Sequence, residues 1–186
     1  MYEDPFWDAR FGERGRKFAL EDGLHHQSYL EAALTANDAG VLVKYAQWLR
    51  AVLVSRGMCS LHLIENLARI GKVLAERGLD PDGRSRRFLG EACAALRHGE
   101  GFDEAQVARE AALAHPAGAH ELRVLASYLG DALALNDPKL FQHYLAWARP
   151  WYEQRGLDAE ALLSALRAPL AHLSPLAART MATWDS

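Results

Sequence analysis

The chain repeats itself. Ser28-Tyr29-Leu30, Ala33-Leu34 and Asn37-Asp38 return 99 residues later as Ser127-Tyr128-Leu129, Ala132-Leu133 and Asn136-Asp137. The same offset pairs Tyr45 with Tyr144, Trp48 with Trp147, Arg50 with Arg149 and Arg56-Gly57 with Arg155-Gly156, then Leu63, Leu67 and Leu74 with Leu162, Leu166 and Leu173. From Ser28 to Leu74, 15 of the 47 positions are identical without a gap. Tryptophan, tyrosine and an Arg-Gly pair do not recur in register by chance in a chain rich in alanine and leucine. A duplicated structural unit follows, and each copy must fold in the same local way.

The grammar inside each copy is helical. Asp38 and Asp137 stand where an N-cap belongs, and Pro138 takes a first helical position, where its missing N–H costs nothing. The helices that follow stop at Gly57 and Gly156, which are free to adopt the left-handed cap conformation, and Gly78 ends the next one. Leu63, Ile64, Leu67, Ile70 and Leu74 draw one buried stripe. So do Leu122, Leu125, Ala126, Leu129, Ala132 and Leu133, ahead of Asp137. The middle helix is apolar on two adjacent faces, with Val41, Tyr45, Trp48 and Val52 on one and Leu42, Ala46, Leu49 and Leu53 on the other. It is expected to be central, with Trp48 and Trp147 buried. Pro150 falls twelve residues into the helix begun at Pro138 and predicts a bend that the first copy, with Ala51, lacks.

Further helices are predicted from Arg84 to His98, with Phe88, Leu89, Ala92 and Leu96 inward and Gly99 as the stop, from Asp103 to His115, and after Ser174-Pro175. The expected fold is all-α: about eight or nine helices in two tandem pseudo-symmetric units sharing one core. Residues 1–21 form an N-terminal arm, 22–99 the first unit, and 100–186 the second, with 103–115 as a connecting helix. The arm matches nothing in the repeat. It carries Phe6, Trp7, Phe11 and Phe18 among many charges, too many large rings for a freely solvated tail. It is read as packing onto a body, either its own or that of a second copy in a homodimer.

Composition bounds the function. Half the residues are apolar and the net charge is −3 with both signs interspersed, which is not the footprint of a nucleic-acid binder. No apolar run approaches the roughly 20 residues of a membrane span. Two distant cysteines suggest a reduced protein, and the opening Met-Tyr-Glu-Asp-Pro-Phe-Trp lacks the form of a signal peptide, so the cytoplasm is the expected compartment.

No catalytic template is present: no Gly-x-Ser-x-Gly elbow, phosphate-binding glycine loop, His-Glu-x-x-His or paired Cys-x-x-Cys. His115 and His120 share a predicted loop at a spacing unsuited to a helical metal pair, and are read as surface histidines. His26 sits in the register of Leu125 and is read as a core histidine with one satisfied ring nitrogen. Cys59 aligns with Asp158, the N-cap of the third helix. A thiol there would feel the helix dipole and ionise more readily, but the plainer reading is a structural cysteine. The basic residues Arg84, Arg86, Arg87, Arg10, Arg14, Arg16 and Lys17 are read as a solvated face or as salt bridges that dock the arm.

The duplicated aromatics remain. Tyr45, Trp48, Tyr144, Trp147 and Trp151, with His26, are the candidate ligand-binding residues, lining a cleft between the units that suits a flat, apolar or aromatic small molecule. No metal site is assigned, and no particular cofactor is indicated.

The phrase Tyr29-Leu-Glu-Ala-Ala-Leu-Thr-Ala-Asn-Asp38, the long helix to Arg56-Gly57 and the stripe from Leu63 to Leu74 resemble the helical modules of bacterial sensory proteins. The likeness covers about residues 24–78 and 123–173. It is similar to the helical cap beside cobalamin-binding domains and to regulatory bundles of stress-signalling proteins. The resemblance implies a sensory or regulatory helical module. It does not carry cobalamin with it, because neither the Asp-x-His-x-x-Gly ligand motif nor a Glu-His dipeptide is present. The expected function is therefore a non-enzymatic regulatory or ligand-sensing protein. A small helical enzyme or tetrapyrrole-type carrier using the same cleft is the alternative, and a protein-interaction scaffold is the third reading.

Overall fold

The computed structural model describes residues 5–98 and 102–184. Among the described residues the protein is all-helical, with nine α-helices and no strand. They are α1 (Pro5–Ala36), α2 (Ala39–Ser55), α3 (Ser60–Glu76), α4 (Arg84–Ala95), α5 (Glu104–Ala114), α6 (Ala119–Leu135), α7 (Pro138–Gln154), α8 (Ala159–Leu173) and α9 (Pro175–Trp184). No described helix is long and apolar enough to cross a membrane.

The repeat dictates element boundaries closely. Helices α2 and α7 each have 17 residues, and their first residues, Ala39 and Pro138, are 99 apart in sequence, like the first residues of α3 and α8. Asp38 accepts the N–H of Gly40 at 2.8 Å and Asp137 that of Lys139 at 3.0 Å, so each aspartate satisfies a donor that helix geometry leaves over. Just before each, Asn37 and Asn136 hold φ of 52° and 50°, the only non-glycine residues with positive φ among those described. Asparagine tolerates this left-handed corner, and there it turns the chain out of α1 and α6. Gly57 (φ 81°) and Gly156 (φ 71°) end α2 and α7 as the sequence indicates.

Two compact units result. Of the described residues, unit 1 comprises 5–49 and 63–96; unit 2 comprises 50–62, 97–98 and 102–184. The chain thus enters unit 2 for the end of α2 and the first residues of α3, then returns, where the sequence suggested an unbroken first unit over 22–99. In unit 1, α4 packs on α1 and buries Phe88, Leu89 and Ala92. Gly71 of α3 lets α4 approach: a Cβ there would stand 3.4 Å from Leu89 Cδ1. In unit 2, α6 packs against α5 and α7, and α8 against α5, α7 and α9. Helix α6 is enclosed through most of its length, Leu122, Leu125, Leu129 and Ala132 being wholly buried.

Three expectations need correcting. The arm runs into the repeat: a kink at non-helical Gly12, at φ 58° and ψ −159°, divides α1 into two helical stretches, and the second carries residues of the arm straight on to Ala36. Trp7 is already buried within the single chain, tilted against Phe11 at 4.7 Å, while Phe18 stays 39% exposed. The side chain of Phe6, and Gly99 as the stop of α4, lie outside the described residues. Second, Trp147 is only half-buried; Pro150 and Pro169 lie within α7 and α8. Third, Trp48 is not buried.

The basic residues make local pairs: Arg16 with Asp8, Lys17 with Glu21, Arg84 with Asp82 and Arg87 with Glu91. These are exposed and each contributes little to stability.

Candidate functional site

Each copy of the repeat builds the same ladder of three rings. In unit 1, Tyr29 of α1 stacks on Tyr45 of α2, with centroids 3.9 Å apart and planes at 13°, and Trp48 follows one turn along α2 at 6.2 Å from Tyr45. In unit 2, Tyr128 of α6 stacks on Tyr144 of α7 at 3.8 Å and 9°, with Trp147 at 6.1 Å from Tyr144. Offset stacking of this kind contributes about 0.5–1.5 kcal/mol beyond the area the rings bury.

Tyr45, Tyr128 and Tyr144 are core, with their hydroxyls satisfied differently, whereas Tyr29 is exposed. Tyr45 is bonded to His26 Nδ1 at 2.8 Å, and Tyr144 to the Tyr152 hydroxyl at 2.9 Å. Tyr128 donates to the carbonyl of Gly57 at 2.7 Å. Burial, with some repulsion from His25, holds His26 down to about 4, so it stands neutral at physiological pH.

The outer rungs are not core. Trp48 is 61% exposed, and Trp147 is half-buried. In unit 2 a further ring extends the ladder. Trp151 stacks on Trp147 at 5.9 Å and 23°, with the Arg155 guanidinium 5.3 Å above it. The six candidate residues therefore form two clusters: His26, Tyr45 and Trp48 in unit 1, and Tyr144, Trp147 and Trp151 in unit 2. None of them lines the open groove of about 440 Å³ that runs between Arg149 and Glu160.

A second constellation lies in unit 2, and sequence reasoning missed it. In α8, Asp158 caps its own helix by accepting the N–H groups of Glu160 and Ala161. In α3 the matching residue is Cys59, which cannot do this. The carboxylate comes instead from Asp131, deep in α6 at the register of Ala32. Asp131 Oδ2 accepts the Ser60 N–H at 2.7 Å and Oδ1 accepts the Ser60 hydroxyl at 2.6 Å, while Ser127 Oγ accepts the Leu61 N–H at 3.0 Å. The fourth member is His62, whose Nδ1 receives the Cys59 N–H at 3.4 Å. All of this is buried, and burial pushes the Cys59 thiol well above its ordinary range, against any helix-dipole activation.

On the other side of Asp131 sits His98. Its Nε2 lies 3.4 Å from Asp131 Oδ1 and 3.3 Å from Glu104 Oε2, at the first turn of α5. The imidazole can come this close to α6 only because residue 130 is glycine; a Cβ there would stand 2.4 Å from His98 Cδ2 and 2.9 Å from Phe102. Burial pushes Glu104 up to about 7, helped by the Asp131 charge, and Asp131 up to about 6 against the pull of Ser60 and Arg50. Burial and Arg50 hold His98 down to about 4.

Chemically, Ser60 and Asp131 form a hydroxyl–carboxylate pair, but only 1% and 2% of these residues is exposed, and both are committed to capping α3. The cluster can store or exchange protons; it offers no accessible nucleophile. No group of three His, Cys, Asp or Glu placed to hold a metal ion occurs among the described residues, His115 and His120 included. No protein-family model, curated protein or solved structure matches the chain.

Proposed function

We propose that the protein is a non-enzymatic, ligand-sensing regulatory module that binds a flat, apolar small molecule on its aromatic ladders. One observation carries this reading. Both copies keep a stacked tyrosine pair under a tryptophan, the inner tyrosine of each, Tyr45 and Tyr144, being buried and hydrogen-bonded, and in unit 1 that tryptophan stands 61% exposed in the middle of a helix otherwise suited to burial. A large indole in water gains nothing for the fold. It does gain from a planar partner, and the rigid tyrosine stack beneath keeps the ordering cost low.

The test uses two planar probes, protoporphyrin IX and 1-anilinonaphthalene-8-sulfonate, titrated against the folded chain. Both are expected to bind, and Trp48→Ala is expected to weaken the binding about tenfold, which is the scale of one lost stacking contact. Equal affinity for wild type and Trp48→Ala overturns the reading.

A second copy of the chain is the proposed protein partner, through the outer face of α1. Trp7 is buried within the chain, but Leu20 and Leu24, one turn apart on α1, stay exposed at 66% and 62%. A mass of two chains at micromolar concentration, reduced to one by Leu20→Glu with Leu24→Glu, is the expected result. A wild-type monomer at that concentration removes the dimer.

A further inference from the structure

Two polar atoms inside unit 2 are placed as if one hydrogen were missing between them. Glu104 Oε2 and His98 Nε2 are 3.3 Å apart, each is buried, and neither makes a hydrogen bond. Buried polar atoms without partners cost about 1–3 kcal/mol each, and native interiors rarely keep two together. With the imidazole hydrogen on Nδ1, a protonated Glu104 donates its O–H to the Nε2 lone pair and removes both deficits; with that hydrogen on Nε2, the imidazole donates to an ionised Glu104, and the two arrangements differ by the proton on Glu104. The site is purpose-shaped, since Gly130 alone makes room for the ring on α6.

We infer that Glu104, His98 and Asp131 form a proton-operated latch in unit 2. With the proton in place, Glu104 fastens the first turn of α5 to His98 and α6; without it, a second buried carboxylate faces Asp131 and that turn loosens.

The charges around Glu104 agree with this. From α6, Asp131 opposes its ionisation, as does Asp103 beside it. Arg97 and the His98 backbone N–H favour ionisation, but burial outweighs both. From the end of α2, Arg50 acts on His98 and Asp131 and keeps the proton off the imidazole. From the start of α3, Ser60 occupies both oxygens of Asp131, and Cys59 remains a neutral thiol. Helix α8 brings His172 to Glu110, further along α5, at 2.9 Å. The proton therefore belongs on Glu104. Its ordinary value of 4.5 is raised to about 7, so the fastening is complete below about pH 4.5 and is lost as pH rises through 7. His98, lowered from 6.5 to about 4, works in the opposite direction and must be divided out.

Amide hydrogen exchange of Val107 to Ala111 does this when wild type is compared with Glu104→Gln, in which an amide N–H takes the place of the proton. The ratio of wild-type to variant protection is expected to fall about tenfold per pH unit from 5 to 7 and to level off above 7. A ratio independent of pH overturns the latch. If the variant does not fold, the wild-type Glu104 carboxyl carbon, followed by NMR, decides: a midpoint near 7 supports the latch, and one in the ordinary glutamate range overturns it.

Discussion

Asp131→Ala is expected to lower stability by roughly 3–5 kcal/mol, although the residue lies in the middle of a helix and touches no candidate ligand. The carboxylate receives two hydrogen bonds from Ser60, and bonds to a charged acceptor contribute about 1.5–3 kcal/mol each. Its loss leaves the Ser60 N–H and hydroxyl buried with nothing to accept them. Relief of the repulsion on Glu104 offsets only part of this. Asp131→Asn, which keeps one acceptor, should recover part of the deficit. The measurement is the urea midpoint at pH 7, and an unchanged midpoint in the alanine variant would show that α3 is capped by other means.

Tyr144→Ala should cost about as much, roughly 3–5 kcal/mol, because it empties a fully buried ring site. It breaks the stack on Tyr128 and strands the Tyr152 hydroxyl. Trp48→Ala should by contrast change stability by no more than about 0.5 kcal/mol, as an exposed side chain does. The pair is informative together. Equal losses in thermal unfolding would mean that Trp48 is structural and that the ladder has no outward-facing rung.

That contrast marks where sequence reasoning reaches and where it stops. Asp38, Gly57, Asp137 and Gly156 fix helix ends through local backbone chemistry, so the boundaries were legible. Which flank of α2 is covered is not local. Tyr45 and Trp48 share one apolar face, yet the first is buried under Tyr29 and the second is in water. A helix apolar on most sides carries no mark of the side left open. The polar cluster was harder still, since His98, Glu104 and Asp131 come from three segments and none is part of the repeated pattern. One signal was available. Copy one has Ala32 and Cys59 where copy two has Asp131 and Asp158, so the first copy lacks both carboxylates at the positions where the second keeps them. An aspartate inside the apolar stripe of α6 needs a buried partner, and a third helix without a cap supplies one.

Borrowing that cap has a consequence for the order in which the protein can be made. The Ser60 N–H waits for an oxygen 71 residues further along the chain. A ribosome that has just released residues 1–98 has released every helix of unit 1, yet the start of α3 is still without its acceptor. Residues 50–62 stay unfinished until α6 emerges. The sequence repeat therefore does not mark two independent folding modules in tandem. Dividing the chain between the copies should yield a first half that is open at the opening turn of α3, and synthesis, like refolding, must complete this long-range closure before α3 is sealed.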